Sequence, residues 1–141
     1  MMPRTSFASG RTLRGFTLIE LMIVVVVVGV LARIAVAGYQ SSVAKSRRNV
    51  AQGCLMEQAQ FMERYYTTNM SYSGATLPTS AVQQCQADLS GKYSFTLPTV
   101  TASTFTLQAD AAGTQATADA SCATMTVNQL GVRTGTSTGC W

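Results

Sequence analysis

The sequence predicts an α+β fold, a long N-terminal α-helix packed on a small antiparallel β-sheet of about four strands. Three observations carry that prediction. Leu21 to Tyr39 is apolar apart from Arg33, and Gln40 to Thr68 has no proline and repeats apolar residues at helical spacing. Beyond Gly91, short stretches alternate apolar and polar residues, the period of strands with one buried face.

Met1 to Gly15 is short, polar and basic, without periodicity, and its arginines are expected on the cytoplasmic side of a membrane. Leu21 to Tyr39 is long enough for one transmembrane helix. A competing reading is an ordinary secretory signal, because Ala35-Val36-Ala37 fits a small-residue cleavage site ahead of Gly38. The carboxylate of Glu20 and the length of the apolar run argue against it. From Gln40 to Thr68, Val43, Val50, Cys54, Phe61 and Tyr65 recur at helical intervals, flanked by Ala51, Leu55, Met62 and Tyr66. That is an amphipathic helix with a wide apolar stripe. Nothing between Phe16 and Thr68 demands a break except Gly38 and Gly53, so one continuous helix is expected.

Asn69 to Gly91 carries Ser71, Ser73, Gly74, Pro78 and Ser80 and reads as a long connection. Strands follow. Tyr93, Phe95 and Leu97 alternate with Ser94 and Thr96 up to Pro98, and Phe105 and Leu107 alternate with threonines and Gln108. Ala123, Met125 and Val127 form a third strand, then a turn at Asn128 to Gly131 and a short last strand near Val132. The amphipathic helix and the one-faced sheet each need a cover, and they are expected to cover each other. The implied organisation is a leader at 1–15, an apolar half-helix at 16–39 and a head at 40–141. Within the head, the half-helix takes 40–68, the connection 69–91, and the sheet with its C-terminal region 92–141.

The head is poor in large aliphatics and needs covalent support. Cys54, Cys85, Cys122 and Cys140 form no C-x-x-C pair, and the chain has no histidine, so zinc and redox spacings are absent. An even count behind an export-type N-terminus reads as two disulfides, with three pairings open. The formal charge of +4 is concentrated at the N-terminus: past Arg33 there are six basic residues against five acidic ones. Nucleic-acid binding would therefore need a local cluster rather than net charge. The compact basic group is Lys45, Arg47 and Arg48, with Tyr65, Tyr66 and Tyr72 as stacking faces and Arg64, Lys92 and Arg133 as further cations that convergence would have to assemble. No catalytic residue, metal site or cofactor is expected.

Arg14-Gly15-Phe16-Thr17-Leu18-Ile19-Glu20-Leu21-Met22 resembles the class III signal of type IV pilins and pseudopilins. Glu63-Arg64-Tyr65-Tyr66-Thr67 with Asn69 and Tyr72, and the closing Cys140-Trp141, are similar to PilE-like minor pilins. ComP-type DNA-uptake receptors belong to the same wider family. The resemblance implies cleavage by a prepilin peptidase between Gly15 and Phe16, N-methylation of Phe16, and the long-helix fold. It implies single-pass residence in the inner membrane, then assembly with other pilin subunits into an extracellular pilus through an inner-membrane platform. It also implies a Cys122–Cys140 loop, with Cys54–Cys85 stapling the long connection to the helix. Glu20 becomes the assembly residue, pairing with the Phe16 amine of a neighbouring subunit. Lys45, Arg47 and Arg48 become candidate contacts for DNA or lipid headgroups. Two departures from the family pattern stand out. No proline lies near Ala37, and Arg33 occupies a position that is commonly small and apolar.

Overall fold

The computed structural model describes residues 15–141; the basic residues Arg4, Arg11 and Arg14 of the leader lie outside them. Helix α1 runs Leu18–Asn69, helical through Val36-Ala37-Gly38-Tyr39 and through Gly53. With no proline between Leu18 and Asn69 to remove a hydrogen bond, nothing interrupts the ladder. The chain divides into two units, Met1–Val36 and Ala37–Trp141.

In the second unit α1 is followed by α2 (Thr79–Asp88), β1 (Tyr93–Val100) and β2 (Phe105–Ala111). Next come α3 (Thr114–Ala118), a 3-10 turn at Ala120–Cys122, β3 (Thr124–Asn128) and β4 (Arg133–Gly135). The strands form one antiparallel sheet in the order β1-β2-β3-β4. Alternation decides its faces. Tyr93, Phe95, Phe105, Leu107, Ala109, Met125 and Val127 are buried against α1, while Ser94, Thr96, Gln108, Asp110, Thr124 and Thr126 occupy the other face.

The packed side of the helix is centred on one flank of the predicted stripe. Ala51, Cys54, Leu55 and Met62 of that stripe are buried, joined by Ala44, Gln58 and Ala59, while Val50 is 44% exposed. The contact combines the fully buried Leu55 and Met62 with the small residues Ala51 and Ala59. Gln58 is buried with neither amide atom bonded within the protein, a polar residue that a hydrophobic pattern assigns to the surface.

The predicted connection 69–91 contains α2. Pro78 stands immediately before it, and Val82, Cys85 and Leu89 follow at helical spacing. Pro78 and Ser80 read as loop residues, although proline is well tolerated where a helix begins. Strand β1 likewise runs through Pro98 rather than ending there. It is an edge strand, and its register shifts between Thr96 and Thr99, so Leu97 and Pro98 stand together opposite Leu107. A bulge on an edge is where a residue without an N–H is accommodated. The β2–β3 link carries α3 and the 3-10 turn, neither of them expected from the sequence.

Candidate functional site

Two regions carry the chemistry, one in each unit. In the first, Gly15 to Thr17 precede the helix, and the Thr17 hydroxyl accepts the Glu20 amide N–H at 3.2 Å. Thr17 thereby caps the first turn, satisfying one of the donors that a helix start leaves free. The carboxylate of Glu20 stands in that first turn, where the helix dipole favours negative charge. The following residues through Val36 are exposed, and the stretch is long and apolar enough to cross a membrane. Glu20 and Arg33 are the charged side chains of this stretch, and neither has an ion-pair partner among the described residues.

In the second unit the structure breaks up the basic group. Arg48 donates to Asp119 at 2.9 Å, with both side chains largely enclosed. Beside it, the buried amide of Gln115 donates to the Ala44 carbonyl at 3.0 Å and to the Tyr93 hydroxyl at 3.2 Å. Burial raises the Tyr93 phenol pKa. These bonds fasten the β2–β3 link to the start of the packed half of α1, so Arg48 is structural. Lys45 stays exposed. Arg47 is half-buried and lines a groove with Tyr39, Gln40, Thr114 and Thr117.

The tyrosines are also committed to the fold. Tyr72 is buried with its ring 4.6 Å from Tyr66 and 4.9 Å from Phe105, and its hydroxyl donates to Glu63 at 2.9 Å. Burial, followed by that carboxylate, pushes its pKa up to about 12. Its ring faces are spent on neighbours and cannot receive a base. Nor do Lys92 and Arg64 converge. Lys92 adjoins the Tyr93–Ala111 end of the β1–β2 pair, whereas Arg64 lines a cavity with Phe105 at the opposite end. That end-to-end span is about 25 Å for a strand of this length. An arrangement the sequence did not predict lies on the β4 side. The guanidinium of Arg133 sits 5.5 Å from the Trp141 ring centroid, and the Trp141 indole N–H donates to the Thr134 carbonyl at 2.7 Å. These positions lie close in sequence, and the adjoining Cys122–Cys140 disulfide holds the C-terminus at the sheet. The second bridge joins Cys54 on α1 to Cys85 on α2.

A long helix with a bare apolar first half, and a second half packed on a one-faced sheet within a disulfide-braced head, defines a pilin-like subunit. A family model described as "Type IV minor pilin ComP, DNA uptake sequence receptor" matches residues 37–126, and the prokaryotic N-terminal methylation motif matches 11–35. The chain belongs to the type IV pilin family, within the minor pilin group that the first model describes. It is 39% identical over 80 residues to the fimbrial protein EcpC of Eikenella corrodens, covering 57% of this chain and 50% of that one. It is 37% identical over 82 residues to a fimbrial protein of Neisseria meningitidis serogroup B, covering 57% and 46%. The matches thus span about half the length of those relatives. Among solved structures, the non-core minor pilin PilV of Neisseria meningitidis is similar, with a TM-score of 0.52 and 27% identity. That likeness covers 71% of this chain and 95% of PilV. Pilins are structural subunits and not enzymes.

Proposed function

We propose that the chain is a minor pilin of a type IV pilus, processed between Gly15 and Phe16, N-methylated on Phe16, and built into or priming the filament through its apolar half-helix. The carrying observation is the contrast between an uncovered apolar stretch and a head with its own core and both disulfides. A bare apolar helix of that length needs lipid, then other helices, to surround it. Before assembly the subunit resides in the inner membrane, and its partners are the prepilin peptidase, the assembly platform and other pilins. Adhesion, twitching motility and DNA uptake are roles of the assembled system; a major pilin or a secretion pseudopilin would use the same helix. Mass spectrometry of the mature chain is expected to find N-methylated Phe16 at the N-terminus. A chain beginning at Gly38 would instead mean an ordinary secreted protein and overturn the reading.

A second reading, DNA reception, is supported by the Arg133–Trp141 pair and by the receptor that the matching family model describes. An exposed cation against an indole offers phosphate attraction and a stacking surface in one place. For the full chain in detergent, duplex DNA affinity is expected to fall steeply between low and physiological salt, since each phosphate contact releases counterions. Replacing Arg133 with Ala would weaken binding by about tenfold, the equivalent of about 1.4 kcal/mol. Affinity that is indifferent to both salt and Arg133 would remove this role while leaving the pilin reading intact.

A further inference from the structure

The apolar half-helix carries two opposite charges that its own chain leaves unmatched. Glu20 and Arg33 both lie within the exposed helical stretch, surrounded by valine, isoleucine and leucine, and neither is bonded to a charged group among the described residues. They are 13 residues apart, about 20 Å along the helix. The same helix geometry sets them about 140° apart around the axis, on nearly opposite sides. Neither side chain reaches the other within one chain.

We propose that Arg33 of one subunit pairs with Glu20 of a second copy of this chain, displaced by 13 residues along a parallel helix. This inference rests on the pilin reading. Charge complementarity identifies the occupant: the segment that presents a guanidinium to an apolar environment also carries, elsewhere on itself, the carboxylate that neutralises it. Arginine suits the role, because its fork meets a carboxylate with two parallel hydrogen bonds. Angular placement fixes the symmetry. A closed two-fold pair would need both charges on one face, and here they point to opposite sides. Each copy therefore meets one neighbour through Glu20 and another through Arg33, a heterologous contact that propagates instead of closing. Glu20 retains capacity for the Phe16 amine as well, since a carboxylate has two oxygens and several acceptor directions.

The register can be tested without touching either charge. Ile23 and Val36 stand three residues beyond Glu20 and Arg33, so the proposed pairing brings Ile23 of one copy level with Val36 of the next, across the same seam. Two differently tagged full-length chains, one with Ile23→Cys and one with Val36→Cys, would be co-expressed and cross-linked by oxidation in membranes. The mixed 23–36 adduct is expected to dominate over the 23–23 and 36–36 adducts. It should fall at least fivefold when both chains carry Arg33→Leu, and survive Arg33→Lys. Dominant symmetric adducts, no adduct between co-resident chains, or a mixed adduct indifferent to Arg33→Leu would each overturn the pairing. N-terminal processing is read from the same samples. A processed chain that enters pili without the mixed adduct would leave the pilin reading standing and remove only the pairing.

Discussion

Replacing Glu20 with alanine is expected to leave the chain cleaved, methylated and inserted, while its amount in sheared pili falls about 100-fold, the size set by about 3 kcal/mol for breaking one side of a desolvated ion pair. The reasoning begins with the new N-terminus. On the proposed processing, cleavage after Gly15 would create an amine on Phe16, four residues before Glu20 and at the edge of an apolar stretch. Both charges are costly in hydrocarbon, and pairing across subunits relieves both at once. The local geometry leaves Glu20 available for this. Thr17 already supplies the oxygen that holds the Glu20 amide, and the carboxylate has no partner among the described residues. Glu20→Gln separates charge from shape: it retains size and hydrogen bonding, and should assemble almost as poorly as the alanine variant. Quantitative immunoblotting of pili against the membrane fraction measures both. Wild-type levels of Glu20→Ala in pili would dismiss the assembly role.

The second large effect is expected in the head. Cys54 and Cys85 close a separation of 31 residues and Cys122 and Cys140 one of 18. On the loop-entropy estimate these contribute about 4 and about 3 kcal/mol respectively. The combined loss is comparable with the whole stability of a small domain. Each double-alanine variant should therefore shift the urea midpoint of the detergent-solubilised chain downward, Cys54→Ala/Cys85→Ala by more. The chain lacking all four cysteines should fail to accumulate. Gly135 offers a milder perturbation of the second bridge, because a Cβ there would lie 2.6 Å from the Cys140 Cβ. Equal midpoints for the wild type and both double variants would show that the apolar core alone supports the head.

The large features of the fold were legible because they depend on periodicity and length. The apolar run, the proline-free helix and the alternating strands each repeat a pattern over enough residues to exclude the alternative. The failures came where an element's partner decides. How far the packed face of α1 extends beyond the predicted stripe depends on where the sheet settles, and Ala44, Gln58 and Ala59 say little by themselves. Helix α2 is ten residues long and is held to α1 by a disulfide, so local propensity under-reports it. The site divided in the same way. Glu20 announces itself as a charge in an apolar run. Arg48 looked like an open cation until the fold delivered Asp119, 71 residues away, to its guanidinium. The meeting of Arg133 with Trp141 depends on a bridge whose partner was not fixed by spacing.

The two borders of the sheet bear on how such subunits tolerate crowding. A strand at a border offers unused N–H and C=O groups, an invitation to any similar chain nearby. Here one border contains Pro98 within an irregular register, and the other is only three residues long, ending where Gly135 meets the Cys140 side chain. Neither offers a long, flat template. Heads held side by side at very high local concentration are thereby discouraged from fusing through their backbones. Neighbours are left to recognise one another by side chains, which can be exchanged in evolution without putting the fold at risk.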